Sequence, residues 1–277
     1  MIGAIKNVVK ESGLLPSFKV REKLAAGYLK GEGLEIGALH FPLKTPNDVI
    51  VKYVDIAGRE ENIRRFPELD GSRIVHTDYI ENGFELATIP AFSQNFIIAN
   101  HVLEHADNPL RVLLNWGRVL KLEGIMLVTV PIAARCFDKG RRETTLEHFM
   151  EDYRLKETGE AALFRESNRE HFMEWLQVSE PNLARARGDA DPKQNGSTLE
   201  KRLEEMLGAE RVEIHFHTFS EKSYKRLMEH FAVNVAGNFQ VMDLRRSRGG
   251  AEVVAVLKKL HLTGNELQEH RHSVPLE

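Results

Sequence analysis

Short apolar runs alternate with helical patterns over much of the chain. Five runs have the length and composition of strands: Leu34–Ile36, Ile50–Val54, Ile74–His76, Phe96–Ala99 and Ile125–Val130. The last of them, within IMLVTV, is apolar almost throughout, as expected of a central strand that is covered on both faces. Repeated strand and helix alternation predicts an α/β fold with a parallel sheet and crossover helices.

The clearest helix lies between the fourth and fifth of these runs. Asp107 or Asn108 is placed to cap it, and Pro109 follows at the first turn, where proline is tolerated. Its apolar face consists of Leu110, Leu113, Leu114, Val119 and Leu120. Glu123-Gly124 then predicts the turn into the next strand.

The remainder of the chain divides into a helical insertion and a return to the core pattern. We predict an amphipathic helical lead-in over residues 1–30, a main domain over 31–260 and a flexible tail over 261–277. Within the domain, the high density of charged residues over 132–211 indicates a mainly helical insertion or lid. A helix is predicted from Phe219-Ser220 to about Phe231, and an antiparallel edge hairpin is predicted from strands near Ala232–Met242 and Glu252–Leu257.

Composition excludes several classes of protein. Hydrophobic residues make up 42% and charged residues 29% of the 277, which is the balance of an ordinary globular chain. A net charge of -3 gives no overall attraction to phosphate backbones, so no nucleic acid partner is expected. We find no run of about 20 apolar residues and expect no membrane span. The single cysteine, Cys136, excludes an intramolecular disulfide framework and favours a cytoplasmic location.

Three acidic residues follow three successive apolar runs. In GLEIGALHFPL, Glu35 lies near the end of the first run, and Gly37 and Ala38 let the backbone approach a ligand. Asp55 ends the second run and can accept hydrogen bonds from both hydroxyls of an adenosine ribose. Asp78, beside Tyr79, offers an acceptor for an adenine amino group. The pattern predicts a site at the carboxyl edge of the sheet without naming its cofactor.

At this point the sequence resembles a known family. The run FIIANHVLEHADNPLRVLLNWGRVLKLEGIMLVTVP, with EIGALHFPL and YVDI upstream, is similar to class I S-adenosylmethionine-dependent methyltransferases that act on small molecules. The similarity covers residues 31–131, and HFHTFSEKSYKRLMEHF resembles the family's return to the core. The resemblance implies a Rossmann-like seven-stranded mixed sheet of order 3-2-1-4-5-7-6, with helices on both faces.

The resemblance also implies roles for individual residues. Glu35 and Gly37 would contact the methionine part of S-adenosyl-L-methionine, Asp55 the ribose and Asp78, with Tyr79, the adenine. Asn100 and His101 would lie under the methionyl end. The family's glycine-rich loop continues here with Ala38 and Leu39, which we include among the cofactor-binding residues.

Two other functions are left open by the residues themselves. A nicotinamide-dependent oxidoreductase would share the fold, but the GxGxxG loop that brings backbone close to a pyrophosphate is missing. A non-catalytic module that binds cofactor or a partner is the second alternative. Binding of S-adenosylhomocysteine, and its loss in Asp55→Ala, would separate these possibilities.

Methyl transfer to a hydroxyl requires a base in addition to alignment of the acceptor. The candidate bases are His101, His105, His148 and His217, although each has an alternative role in packing or hydrogen bonding. We expect a small acceptor such as a sugar, lipid or other metabolite, methylated on oxygen. His215 and His217 alternate as on a strand and could meet His148 or His171 around a metal. Because no carboxylate or cysteine pattern fixes such a site, we assign no metal ligand from the sequence.

Overall fold

The structure is a computed structural model that describes residues 18–190 and 198–261. The first part of the predicted lead-in and the predicted tail beyond residue 261 lie outside the described residues, as does part of the polar stretch in the insertion. The bounds of the predicted domain and insertion stay predictions.

A seven-stranded sheet of order β3-β2-β1-β4-β5-β7-β6 organises the chain. Its strands are β1 Glu32–Ile36, β2 Ile50–Asp55, β3 Tyr79–Ile80, β4 Gln94–Asn100, β5 Leu120–Pro131, β6 Phe239–Arg246 and β7 Glu252–Lys259. The first five strands are parallel, and β7 runs antiparallel to both β5 and β6. The predicted fold class and strand order are therefore confirmed.

Helices cover both faces of the sheet. On one face, Leu24 of α1 (Phe18–Tyr28) and Leu29 just after this helix are buried in a cluster with Ile98 and Leu127. The larger core lies on the other face, under α3 (Pro109–Val119) and α8 (Glu221–His230). Both of these helices begin as predicted. The Asn108 side chain accepts from Arg111 N at 3.1 Å, and Ser220 forms a capping box with Ser223.

The remaining helices are α2 (Arg59–Arg65) and four helices of the insertion. These four are α4 Leu146–Glu157, α5 Ala161–Glu174, α6 Glu180–Arg187 and α7 Leu199–Gly208. The last three share a separate apolar cluster that includes Phe172, Leu183 and Leu203 and reaches Phe216 of the returning chain. Helix α4 instead places Phe149 in the main core, so the insertion has a small core of its own and is joined to the sheet through α4. Among the described residues, none of the helices has the length and apolarity needed to cross a bilayer.

One predicted strand is absent, and another, in the predicted antiparallel edge hairpin, begins later than expected. Residues 74–76 are not a strand, because Val75 N donates to Leu39 O at 2.9 Å and the Ile74 carbonyl accepts from Arg59 Nε at 2.8 Å. The apolar run from Ala232 continues helix α8 as a π turn, Phe231–Val235, whose side chains fill the core. The edge strand begins only at Phe239. Apolar content alone did not distinguish a strand from a buried loop or helix end.

At the predicted turn of Glu123-Gly124 the sheet register shifts. Gln94 pairs with Leu120, whereas Phe96 pairs with Ile125, so the chain between these β5 residues bulges. Glu123 has a φ of 64°, a left-handed backbone conformation. The turn therefore exists, but inside β5 rather than before it.

Candidate active site

A cavity of about 70 Å³ lies at the carboxyl ends of β1, β2 and β4. Ligands of open α/β sheets bind at this edge. Its lining consists of Ile36, Gly37, Leu39, Val54, Asp55, Ile56, Arg65, Phe66, Asn82, Gly83, Phe84, His101, Val102, His105, Arg211 and Glu213.

A larger cleft of about 860 Å³ adjoins this cavity. Six residues line both spaces: Ile56, Asn82, Phe84, His105, Arg211 and Glu213. The far wall of the cleft comes from the insertion, with Leu155 and Lys156 on α4 and Phe164 and Asn168 on α5. The cavity and the cleft are therefore neighbouring compartments, one formed by the sheet edge and one closed by the insertion.

Three predicted cofactor residues lie in the cavity wall at the tips of β1 and β2. Asp55 ends β2 with its carboxylate half-buried, and Ala57 N donates to its Oδ1 at 3.4 Å. Gly37 has a φ of 63° and Leu39 a φ of 50°, so the chain turns sharply after β1. Leu39 itself is buried against Phe66. Ala38 is buried too, but it is not among the lining residues of the described chain.

Glu35 braces the loop after β1 instead of facing the cavity. Its two carboxylate oxygens each lie 3.0 Å from Leu43 N, and Asn100 Nδ2 donates to Oε1 at 3.3 Å. Asn100 in turn accepts from Thr129 Oγ1 at 2.8 Å. This buried chain of hydrogen bonds ties together the ends of β1, β4 and β5. The contact of Glu35 and Asn100 with the methionine part stays a prediction.

Asp78 and Tyr79 also lie outside the cavity lining of the described residues. Asp78 precedes β3 rather than ending it, and its Oδ2 accepts from Tyr53 N at 2.8 Å on the exposed edge of β2. Tyr79 packs against the main core. Their predicted contacts with adenine stay untested predictions.

His101 lines the cavity within a charged network. Its φ is 55°, and its Nε2 lies 2.8 Å from Glu252 Oε2 and 3.1 Å from an Arg21 guanidinium nitrogen. Its Nδ1 lies 3.4 Å from Glu104 Oε1. Burial opposes protonation, but the hydrogen bonds with Glu104 and Glu252 outweigh it and raise the pKa of His101. Because each ring nitrogen already faces a carboxylate, this imidazole is suited to positioning rather than to accepting a proton.

His105 stands at the junction of the cavity and the cleft. It is 6% exposed, and its Nδ1 lies 2.8 Å from the Ile214 carbonyl oxygen. Because a carbonyl only accepts, Nδ1 carries the proton, which leaves the lone pair of the neutral ring on Nε2. This tautomer is the one that a general base needs.

The other two candidate bases lie elsewhere. His148 is on α4 and His217 is in the segment before α8, and neither lines the cavity or the cleft in the described part of the chain. Instead they meet each other, with His171 and Asp152, in a buried cluster. Of the four candidate bases, the structure brings only His101 and His105 to the cavity.

Several lining residues were missed by the sequence analysis. Asn82, Gly83 and Phe84 follow β3 and form the wall next to Ile56. The Glu81-Asn82-Gly83 turn was a local signal that could have located them. Glu213, which pairs with Arg65 at 2.8 Å, gives no such signal, because the two residues meet only in the tertiary fold.

Comparison with known families identifies the family of this chain. A family model described as a methyltransferase domain matches residues 48–235, which include the ends of β2 and β4, the helix α3 and the whole insertion. The chain belongs to this methyltransferase family. It is an enzyme of the S-adenosylmethionine-dependent class, as predicted, and the family decides against the nicotinamide alternative. No curated protein matches the chain significantly.

Solved structures resemble this methyltransferase at low identity. One is a SAM-dependent methyltransferase from Aquifex aeolicus, with 12% identity, a TM-score of 0.41, and coverage of 92% of this chain and 89% of that chain. A putative Zn-dependent alcohol dehydrogenase from Rhodobacter sphaeroides has 13% identity, a TM-score of 0.47, and coverage of 93% and 98%. A phosphoethanolamine N-methyltransferase from Haemonchus contortus has 12% identity, a TM-score of 0.45, and coverage of 94% and 46%. At this similarity, the matches carry no argument about function.

The residues of the cavity fit S-adenosylmethionine in their chemistry. Asp55 supplies a carboxylate for ribose hydroxyls, and Ile56 and Phe84 supply apolar surface for a flat base. No phosphate-binding glycine loop is needed for a cationic cofactor. The cavity alone is smaller than the roughly 300–1,000 Å³ of most ligand sites, so a cofactor also needs space from the adjoining cleft.

Proposed function

We propose that this methyltransferase transfers a methyl group to a hydroxyl oxygen of a small molecule held in the cleft of about 860 Å³. The observation that carries the proposal is the position of His105. His105 lines both the cavity and the cleft, and its Nε2 is buried until an acceptor enters beside it, so a base lies where a methyl donor and an acceptor would meet.

The cavity residues hold the cofactor in this proposal. Asp55 accepts hydrogen bonds from the ribose, while Phe84 and Ile56 contact the adenine and Gly37 allows the backbone to approach the methionine part. When bound, S-adenosylmethionine supplies a methyl group already activated for displacement by its sulfonium. The protein therefore has to align the acceptor and exclude water.

His105 acts as the general base. The hydrogen bond from Nδ1 to the Ile214 carbonyl fixes the ring and leaves Nε2 to take the hydroxyl proton as the new oxygen–carbon bond forms. His101 positions the turn after β4 through Glu252 and Glu104. The mixed lining of the cleft, with Arg111 and Lys156 beside Phe164 and Phe172, suits a sugar, lipid or other metabolite that has both polar and apolar parts.

The test combines an acceptor panel with a variant of His105. We expect S-adenosylhomocysteine release with hydroxyl compounds, and a loss of turnover of roughly 10²–10⁴-fold in His105→Gln. The affinity for S-adenosylhomocysteine should change little, which shows that the fold survives. His230→Gln, outside both spaces, serves as the matched control. Turnover of amines but not hydroxyls, or full activity of His105→Gln, would refute O-methylation with this base.

A further inference from the structure

Three histidines and an aspartate converge at one point outside the cavity and the cleft. His148 and Asp152 lie one turn apart on α4, His171 lies near the end of α5, and His217 precedes α8. Asp152, His171 and His217 are buried, while the His148 side chain is 31% exposed. Three segments that are far apart in sequence thus each bring a nitrogen or oxygen ligand to the same place.

Four of the six distances within the cluster are close to the edges of a metal-centred tetrahedron, and all four ligand atoms lie within 4.8 Å of one another. Asp152 Oδ2 lies 3.1 Å from His148 Nε2, 3.6 Å from His171 Nε2 and 3.8 Å from His217 Nε2. His148 Nε2 and His171 Nε2 are 3.1 Å apart. Bonds of about 2.0–2.2 Å from a tetrahedral zinc ion place its ligand atoms roughly 3.3–3.6 Å from one another. The observed separations bracket this range.

Hydrogen bonding alone does not account for the arrangement. Within the described residues, Asp152 Oδ2 and His217 Nε2 are buried without a hydrogen bond of acceptable geometry. Such groups are costly unless another partner satisfies them.

The surroundings hold Asp152 and helix α4 in place as the outer shell of a metal site does. Ser167 Oγ donates to Asp152 Oδ1 at 2.5 Å, which leaves Oδ2 as the oxygen that faces the histidines. Thr145 caps α4 by accepting from His148 N at 3.3 Å. The Phe149 ring packs 4.8 Å from the His217 ring, so the cluster has apolar surroundings.

We propose that His148, Asp152, His171 and His217 bind one divalent transition-metal ion in tetrahedral geometry. Three imidazole nitrogens and one carboxylate oxygen are a donor set that zinc accepts. Four protein ligands complete the coordination, so the ion is structural and clamps α4 and α5 to the segment that returns to the sheet. This inference revises the sequence-based expectation of no metal ligand.

Two other clusters of potential ligands are weaker candidates for a metal site. His215 belongs to both, once with Glu104 and His105 and once with Cys136 and Asp138. Its Nδ1 is already bonded to Asp138 Oδ2 at 2.5 Å. Each of these clusters offers only three groups, so the four-residue cluster is the stronger site.

The test measures metal in the full chain, purified without a histidine tag. We expect about one equivalent of zinc by plasma mass spectrometry and, after chelation, binding of one Co²⁺ with the intense visible bands of tetrahedral cobalt. His148→Ala and Asp152→Asn should each weaken Co²⁺ binding at least tenfold. His148 is partly exposed, so its replacement is the variant most compatible with folding, which circular dichroism checks.

His230→Ala is the matched control, because it removes a histidine outside the cluster. It should bind Co²⁺ as the wild type does. An ion other than zinc that is lost with His148→Ala would support the site and identify its metal. The proposal is overturned if the wild type binds neither zinc nor Co²⁺, if the cobalt bands are weak and octahedral, or if folded His148→Ala and Asp152→Asn retain the metal.

Discussion

Replacing Asp55 with alanine tests the cofactor site most directly. The carboxylate ends β2 in the cavity wall, and its hydrogen bond from Ala57 N is long at 3.4 Å, so the loss of this bond costs little stability. Two ribose hydroxyls donating to a carboxylate form charge-assisted bonds worth about 1.5–3 kcal/mol each. Because the side chain is half-buried, we expect a net loss of about 2–3 kcal/mol, or roughly 30- to 150-fold in the Kd for S-adenosylhomocysteine.

Isothermal titration calorimetry measures this change, and two variants sharpen it. Asp55→Asn keeps the shape and one acceptor and should lose less affinity than Asp55→Ala. Asp78→Asn distinguishes adenine bound at Asp78, as the sequence predicts, from adenine bound against Phe84 in the cavity. In the structure Asp78 lies outside the cavity lining and accepts a hydrogen bond from Tyr53 N. Unchanged affinity in Asp78→Asn favours adenine against Phe84, and a large loss favours the sequence-based contact with Asp78. Wild-type affinity in a folded Asp55→Ala would refute the ribose assignment.

Three further outcomes are expected. Burial raises the pKa of Glu252, but Arg21 and His101 outweigh it and lower the pKa from 4.5 to about 2. The ionised Glu252 side chain therefore stabilises the folded protein above pH 4.5, and this stabilisation is lost as the pH falls toward 2. Urea unfolding of Glu252→Gln across this range should show a shallower acid dependence than wild type. Gly37→Ala should lower the free energy of unfolding by about 1 kcal/mol, because the φ of 63° at Gly37 is left-handed and disfavours a side chain. Gly27→Ala, at an open position on α1, should not destabilise the protein. Chelation of the proposed metal should raise KM for the acceptor and leave the Kd for S-adenosylhomocysteine unchanged. An equal weakening of acceptor and S-adenosylhomocysteine binding would contradict a metal that acts only on the position of the insertion.

The strand order could be predicted because the apolar runs of the central strands are clear and the family resemblance implied how the strands are connected. Long apolar runs at β4 and β5 identify buried central strands, and the Ser220 cap begins α8 where the side-chain pattern places it. The third strand could not be predicted this way. Ile74 is apolar because it packs under the loop of Leu39, and the hydrogen bonds of this stretch go to a loop and an arginine rather than to a strand.

The site was predicted less completely, because a residue near a strand end can face either side of it. Glu35 and Asp55 both lie near the carboxyl ends of their strands, but Glu35 binds Leu43 N and only Asp55 lines the cavity. Alternation along a strand decides the direction of a side chain, and a shift of one residue reverses it. The cluster around His217 was harder still, because its members meet only after the insertion has folded.

The position of this cluster connects the insertion with the proposed specificity of the enzyme. Asp152 lies three residues before Leu155 on α4, and His171 lies on α5 with Phe164 and Asn168, so the helices that hold the proposed metal also form the far wall of the cleft. The cofactor cavity, in contrast, is built mainly on strand ends braced by buried hydrogen bonds. A methyltransferase organised in this way can change its acceptor by altering the insertion while leaving the cofactor site intact, provided that something fixes the insertion firmly to the sheet. A buried metal ion on α4, α5 and the segment of His217 would do so at the point where the two parts join.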